Sequence, residues 1–494
     1  MITKTAFVNG CRCMEYLWLS QNKPAVLEHK DTAHTRDGDE VGETARKYYA
    51  GAVTVKKNRL TEMAKETAAL MRGGVTTICE ASFVADDLAC AADIVRVFDD
   101  GLDIIEVKSS TSIKNVQVDD IAFQCHVIEK AGFHVRNAYL MHLNKDYIRH
   151  GELNLQELFK QVNITDEVRK REASIAAEIA VMRLAENSEE PNIPLSCSCD
   201  SPYECPCKTY CFHKAGVPEK SIFTLHGVTA KKKYAYFNMG IKTVDALLTY
   251  ASESLTERQM KLVKLETSSA EDDLVVEKPK VKEFLDSLPY PLYLLDFETT
   301  ERAIPAYDGE HPYQHVPFQY SLHIMTGPNE EIIHKEFLAD ERTDPKRDMV
   351  QHLCADIPEG AIAMAYNFSF EKNVLRMLSE EVPEAAHHLM AIHNRMIDLM
   401  VPFKDRLVYR PSMCGSYSIK AVLPALCGDD KSLDYHALPV VHNGGEAMEV
   451  FANLRNITDR EEVQRIREGM LMYCGLDTLA MVKIIQKLYE LVKQ

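Results

Sequence analysis

Residues Cys197 to Cys211 read C-S-C-D-S-P-Y-E-C-P-C-K-T-Y-C, so five of the fourteen cysteines fall within fifteen residues. Pro202 and Pro206 interrupt the run, which excludes a long helix or a central strand and leaves a loop that presents sulfur. The spacing Cys199-x5-Cys205-x5-Cys211 lacks the paired C-x2-C knuckles of common zinc ribbons. Thiolates at irregular spacing suit an iron–sulfur cluster at least as well as zinc, and a cubane takes four of them. Cys11 and Cys13, in C-R-C-M-E-Y-L-W-L near the N-terminus, are the obvious source of the fourth, and that ligation would staple the ends of a first domain together. Carboxylates form the other sets: Asp93 ahead of Glu106-x-Lys108, the pair Asp296-x-Glu298, and Asp477 after Tyr473. Carboxylates grouped in this way hold divalent cations that activate water.

Strands and helices must bring these residues together. The stretch A-C-A-A-D-I-V-R-V-F-D-D-G-L-D-I-I-E-V-K-S-S-T carries Ile- and Val-rich runs on either side of Asp99-Asp100-Gly101, a strong hairpin signal. Asp93 lies on the first strand, and Ile104, Glu106 and Lys108 share one face of the second, because side chains alternate with period two. The hairpin therefore converges two carboxylates and an amine. Upstream, Tyr16, Leu17 and Trp18 suggest a short helix, Gly38 to Tyr49 reads as a helix carrying Glu43, and Arg59 to Arg72 is an amphipathic helix stopped by Gly73-Gly74. Downstream, D-D-I-A-F-Q-C-H-V-I-E-K is a helix offering Gln124, His134 to Leu143 is a strand, and residues 153 to 185 are charged and helical. From Val217 to about Thr267 short helices alternate with Gly breaks as a plain spacer, and Ser268 to Lys280 has the composition of a linker.

Pro291 to Glu298 is a strand that places Asp296 and Glu298 on one side. Two strand-like runs follow, F-Q-Y-S-L-H-I and E-I-I-H-K-E-F, then a helix near residues 346 to 356. The run A-I-A-M-A-Y-N-F-S-F-E-K-N-V-L is a strand passing into a helix with Glu371 in its first turn. On the last helix Tyr473 and Asp477 are four apart, hence on one face.

Singly these motifs are common, and an isolated E-x-K is most often a half-buried strand with a solvated ion pair. Their order carries the weight. The arrangement Asp93…Glu106-x-Lys108 resembles the core of the PD-(D/E)XK nucleases. Together with Gln124, Cys13, Cys199, Cys205 and Cys211, residues 1 to 215 resemble the RecB-type nucleases with an iron–sulfur cluster, a group that includes the CRISPR-adaptation nucleases and the AddB subunit. The resemblance implies that Asp93 and Glu106 bind a divalent metal, that Lys108 orients or activates the attacking water, and that Gln124 contacts substrate or the metal's water. It also implies that Cys13, Cys199, Cys205 and Cys211 hold a [4Fe-4S] cluster that locks the fold. Many relatives place a metal-binding His on the first core helix, whereas Gly38 to Tyr49 has none and Glu43 is the nearby carboxylate. Cys11, Cys197 and Cys207 are surplus and read as small buried side chains.

Residues 285 to 494 resemble the DEDD exonucleases, specifically the tyrosine subclass that includes RNase D and the proofreading domains of polymerases. That resemblance implies an RNase H-like (DnaQ) fold in which Asp296, Glu298 and Asp477 bind two metals, Glu371 completes the set and Tyr473 positions the attacking water. Glu371 stands where the family usually has Asp, and Asp398 in M-I-D-L-M is the substitute. Residues 409 to 423 also resemble a segment of these proteins and would contact the substrate backbone through Arg410, Ser416, Ser418 or Lys420. The combination of both parts resembles an uncharacterised bacterial family whose C-terminal domain carries a placeholder name.

At 494 residues the chain exceeds one ordinary core. The expected architecture is α/β multidomain: a PD-(D/E)XK restriction-endonuclease-like domain over 1–215, a helical spacer and linker over 216–282, and an RNase H-like domain over 283–494. Hydrophobic residues at 46% and charged residues at 27% fit globular domains. No apolar run reaches bilayer length and M-I-T-K-T-A-F-V-N-G lacks a signal-peptide core, so the expected compartment is the cytoplasm, with no membrane partner. There, fourteen cysteines argue for metal ligation or buried thiols over disulfides. A net charge of -17 speaks against a generic polyanion binder, but carboxylate-bound cations reverse the local field. The basic tracts Lys56-Lys57-Asn58-Arg59 and Lys231-Lys232-Lys233 read as solvated faces. The resulting expectation is a nuclease that uses Mg2+ or Mn2+ and acts on nucleic acid, DNA ranked ahead of RNA. The alternatives are a nucleic-acid-binding scaffold with one or both sites inactive, and an RNA-processing exonuclease.

Overall fold

β-Branched runs punctuated by Gly and Asp draw the N-terminal part of the chain into a sheet, and amphipathic segments between them cover it. The computed structural model describes residues 1–28, 33–186, 188–268 and 273–493. They form two units, residues 1–217 with 302–313 and residues 218–301 with 314–494, so most of the segment read as a spacer groups with the second unit.

The first unit runs β1 (Ile2–Thr3), α1 (Lys4–Arg12), α2 (Met14–Asn22), α3 (Ala33–Arg46), β2 (Val53–Thr54), α4 (Leu60–Arg72), β3 (Thr77–Ala85), β4 (Leu88–Phe98) and β5 (Gly101–Lys108). It continues through α5 (Asn115–Lys130), β6 (Val135–Leu143), α6 (Leu155–Leu158), β7 (Phe159–Asn163), α7 (Thr165–Glu186) and α8 (Lys208–Lys214). Among the described residues the sheet order is β2-β3-β4-β5-β6-β7. Strands β3, β4 and β5 are antiparallel neighbours, and the buried helix α5 carries the chain across to β6, which lies parallel to β5. The expected turn at Asp99-Asp100 holds. Gly101 has φ +142°, and a Cβ there would lie 2.5 Å from the His134 carbonyl oxygen. β1 pairs with the start of β4, Ile2 opposite Leu88, whereas β5 pairs with β4 from Ile94 onward. Asp93 sits at the junction of these pairings, and Lys4 follows β1 directly. Phe7 stacks on Phe123 at 4.6 Å between centroids, tying α1 to α5.

Some local expectations need correction. Helix α3 starts at Ala33 rather than Gly38, so it includes position 34, a His whose side chain lies outside the described residues. The helix expected over 153 to 185 is interrupted by β7, which pairs antiparallel with β6. The strand β3, unread in the sequence, lies beside β4.

The second unit runs α9 (Ala230–Asn238), α10 (Val244–Ala251), α11 (Glu257–Ser268), β8 (Val275–Val276), α12 (Lys278–Asp286), β9 (Leu292–Glu301), β10 (His315–Met325), β11 (Ile332–Leu338), α13 (Lys346–Asp356) and β12 (Ile362–Ala365). It ends with α14 (Ser369–Glu381), α15 (Ala386–Arg395), β13 (Ile397–Asp398), α16 (Val401–Lys404), β14 (Val408–Tyr409), α17 (Ile419–Cys427), α18 (Gly444–Leu454) and α19 (Arg460–Lys493). The expected linker is ordered from Val275, where β8 pairs with β14 before α12 begins; residues 269–272 lie outside the described residues. Strands follow the order β11-β10-β9-β12-β13, antiparallel among β11, β10 and β9 and parallel onward. Alternation along β9 sends Tyr293, Leu295 and Phe297 into a core with residues of α13, α14 and α15. The opposite face, with Asp296 and Glu298, turns toward α19, where Phe318 of β10 stacks on Phe451 of α18. Mixed sheets under helices make this an α/β multidomain chain. No helix among the described residues is long and apolar enough to cross a membrane.

Candidate active site

The face of β9 that meets α19 gathers carboxylates. Ligand oxygens of Asp296, Glu298 and Asp477 lie within 4.8 Å of one another, and no other such group of three His, Cys, Asp or Glu occurs among the described residues. The Tyr435 hydroxyl donates to Asp477 Oδ1 at 2.7 Å, and Cys474 Sγ lies 3.9 Å from Asp296 Oδ2. Gly444, at the start of α18, keeps the approach to Glu298 narrow: a Cβ there would stand 3.4 Å from Glu298 Oε2 and 4.0 Å from the Tyr473 hydroxyl. Burial, reinforced by the charges of Asp477, Glu298 and Glu371, holds the Asp296 carboxyl well above the usual range. Burial and Asp477 push Glu298 up to about 8. Burial also raises Asp477, but hydrogen bonds from Tyr435 and Tyr473 and the charge of Lys420 limit it to about 6. Burial and the same carboxylates drive the Tyr473 phenol upward, so it stays protonated.

Glu371, in the first turn of α14, is buried, and its Oε2 has no hydrogen-bond partner. Burial, with the nearby charge of Asp398, raises it to about 8. Its own charge bears on Asp296 and Glu298. Asp398 differs: its Oδ1 accepts from the backbone amides of Asn367 and Met400, each at 2.9 Å. Glu371 thus has an uncommitted oxygen, whereas Asp398 holds a loop. Of the other expected contacts, Arg410 donates to the Ala425 carbonyl at 2.6 Å, a link within the fold. Ser416 and Ser418 lie 3.2 Å apart, and the charge of Lys420 reaches Glu298 and Asp477. Tyr435 was not legible as a partner, since it comes from a short turn 42 positions before Asp477.

In the first unit Asp93, Glu106, Lys108 and Gln124 converge, joined by Lys4 and Asp120. Glu106 Oε1 accepts from Lys108 Nζ and Lys4 Nζ, both at 2.6 Å, and its Oε2 accepts from Gln124 Nε2 at 2.8 Å. Asp120 accepts from Lys108 at 2.8 Å and from Gln124 at 3.1 Å. Asp93 Oδ2 accepts from the Val107 amide at 2.7 Å. Burial opposes the charge on Glu106, yet the two ammoniums hold its carboxyl far below the usual range. Asp93 moves the other way, up to about 7, through burial and the charge of Glu106. Asp120 had a local signal, one helical turn before Gln124 on α5; Lys4 had none. Glu43 is exposed on α3.

The cysteine loop meets the N-terminal helices. Arg12 donates to the Ser198 carbonyl at 2.9 and 2.7 Å and to that of Tyr203 at 2.5 Å, and its guanidinium lies over the Tyr203 ring. Cys13, Cys199, Cys205 and Cys211 line one cavity of about 70 Å³ together with Cys207. Burial raises the thiols of Cys13, Cys199 and Cys211, and every pairing among the four cysteines adds electrostatically. A hydrogen bond from Cys207 lowers Cys205 to about 6. No three of these sulfurs lie within 4.8 Å of one another, so the set is too open for a single tetrahedral ion, and four thiols around one cavity fit the wider spacing of a multinuclear cluster. Of the surplus cysteines, Cys207 is buried at this cavity, Cys197 is half-buried, and Cys11 is exposed with Sγ 3.3 Å from Glu178, which corrects its reading as a buried side chain.

The carboxylates set a pH dependence. In chelator, Glu298 and Glu371 titrate near 8 when folded and near ~4.3 when unfolded. Between those values the folded chain binds more protons, so its stability falls as pH rises from about 5 to about 8. The thermal midpoint should drop across that range by on the order of 5 °C. Asp477→Asn should flatten the drop by removing the charge that raises Glu298. A midpoint that climbs with pH would contradict this electrostatic picture.

A family model described as a domain of unknown function (DUF2779) matches residues 293–418, a span that holds Asp296, Glu298, Glu371 and Asp398 and stops before Tyr473 and Asp477. No curated protein and no solved structure matches the chain.

Proposed function

We propose that this chain is a metal-dependent nuclease that hydrolyses phosphodiester bonds of nucleic acid, with a DEDD-type 3'–5' exonuclease site in the second unit and a PD-(D/E)XK site in the first. The observation that carries the reading is the convergence of Asp296, Glu298 and Asp477, with Tyr473 one turn from Asp477 and Glu371 offering a buried, unpartnered oxygen. These acids would hold Mg2+ or Mn2+, which supplies Lewis-acid stabilisation of the phosphoryl oxygens. The rest falls to side chains. Tyr473, protonated in its carboxylate setting, would turn its hydroxyl from Asp477 to the attacking water and orient it. Tyr435 fixes the rotamer of Asp477, and Gly444 lets the backbone of α18 pass close to Glu298. Water would add to phosphorus as the bond to the 3' oxygen breaks; a water proton passes to that oxygen, and a nucleoside 5'-monophosphate leaves. In the first unit Lys108 would orient the water and Lys4 would offset charge on the phosphate.

A second reading applies to the first unit alone. Both Glu106 oxygens are taken by Lys4, Lys108 and Gln124, which favours a structural ion-pair network there. Digestion of end-labelled single-stranded DNA, duplex DNA and RNA with Mn2+ tests both readings. Tyr473→Phe should slow stepwise 3' trimming by about 10- to 100-fold, and Asp296→Asn should abolish it. Cleavage left in Asp296→Asn and removed by adding Lys108→Ala would place a working site in the first unit; no residual cleavage would favour the network. Trimming unaffected by either second-unit substitution would sink the exonuclease reading.

The cysteine cavity supports a [4Fe-4S] cluster as the resident group, with Cys13, Cys199, Cys205 and Cys211 as ligands. Protein purified without oxygen should carry about four iron atoms and matching sulfide per chain. Cys205→Ala should lose most of both, and stoichiometric zinc without iron would refute the assignment.

A further inference from the structure

The second unit also contains a cavity of about 710 Å³, large enough for a nucleotide, away from the carboxylates and built from distant parts of the chain. One wall is His226 with Arg258 and Gln259 of α11; the other is Tyr366, Asn367, Arg406 and the stretch Ser416 to Ser418. Among the described residues neither of its arginines is in a salt bridge. Arg258 is exposed and makes no ion pair or hydrogen bond with the described residues. Arg406 donates only to the backbone carbonyls of Gly415 and Ser416, and its guanidinium lies 5.1 Å from the Tyr409 ring and 5.5 Å from the Tyr417 ring. Burial and the neighbouring charge of Arg258 lower the Arg406 pKa, the signature of like charges held together. Glu266, the carboxylate whose charge reaches Arg406, is engaged by the Tyr409 hydroxyl.

Backbone strain marks the same wall. Asn367 and Arg406 have φ of 63° and 56°, conformations that non-glycine residues adopt at a cost and that concentrate where a site must be shaped. The wall is also joined to the carboxylates: Asp398 accepts from the Asn367 amide, its charge bears on Glu371, and Glu371 lies four positions after Asn367. On the other side Ser418 directly precedes α17, whose Lys420 faces Glu298 and Asp477 electrostatically.

We propose that this cavity seats one nucleotide of a single-stranded nucleic acid, its phosphate between Arg258 and Arg406 and its base against the aromatic wall of Tyr366 and Tyr417. The assignment rests on the nuclease reading and adds an anchoring subsite to the second-unit site. Two guanidiniums outside any salt bridge suit a phosphodiester, and tyrosine rings suit an unpaired base, whose faces a duplex would hide.

The test is fluorescence anisotropy on the full-length Asp296→Asn protein in chelator, with labelled oligothymidylate, oligouridylate and a matched duplex. Arg258→Ala and Arg406→Met should each weaken single-strand binding about tenfold and reduce the slope of log affinity against log salt by about 0.7. Arg406 also orders a loop, so Arg258→Ala, at an exposed position, is the variant that tests binding without risk to the fold. Unchanged affinity in Arg258→Ala and in Arg258→Glu overturns the proposal, as does duplex binding with equal strength and equal arginine dependence. The two readings fail separately. Wild-type protein that degrades strands while the arginine variants bind normally removes the subsite and leaves the nuclease; arginine-dependent binding without any cleavage in Mn2+ does the reverse.

Discussion

Carboxylates buried side by side must be met by positive charge, and the two units meet that demand in different ways. In the first, the chain supplies the charge itself: Lys4 and Lys108 close on Glu106, and the carboxyl is held ionised despite its burial. In the second, Asp296, Glu298, Asp477 and Glu371 share a site where Lys420 is the cation that eases Glu298 and Asp477. The remaining repulsion appears as raised pKa values. A site of this kind is poised for an external cation, whereas Glu106 must first exchange an ammonium for one. This difference, more than the motifs themselves, ranks the second-unit carboxylates ahead of the first-unit ones as a place for a divalent cation.

The same electrostatic reasoning extends to the thiols. Crowded thiolates repel, and a metal centre removes the repulsion while fixing a loop whose prolines bar regular structure. Arg12 holds that loop to the N-terminal helices through the Ser198 and Tyr203 carbonyls, and Lys214 bonds Glu15 at 2.6 Å. Protein contacts therefore bring Cys13 to the three later cysteines, and ligation would secure an arrangement that the fold already favours.

How much of this was legible depended on the distance over which each signal acts. The β4–β5 hairpin was readable because Asp99-Asp100-Gly101 is a local turn signal and alternation fixes the faces of Asp93, Glu106 and Lys108. Asp296, Glu298, Tyr473 and Asp477 were readable for the same reason, through the periods of a strand and a helix. Lys4 was not, because it reaches Glu106 only through the pairing of β1 with β4, a contact across 102 positions. The strand β7 was hidden in a charged stretch whose neighbours are helical. The choice between Glu371 and Asp398 rested on backbone amides at a left-handed Asn367, which composition cannot reveal. The arginine-lined cavity was likewise invisible, since its walls come from α11, the end of β12 and the loop before α17.

The central claim is that the carboxylates of β9, α14 and α19 form the divalent-cation site on which catalysis depends. Anomalous diffraction from crystals soaked in Mn2+ tests it most directly. Manganese density should lie in contact with Asp296, Glu298 and Asp477, extending to Glu371 as a second ion fills. Manganese bound between Asp93 and Glu106 while the second-unit carboxylates remain free of metal would contradict it.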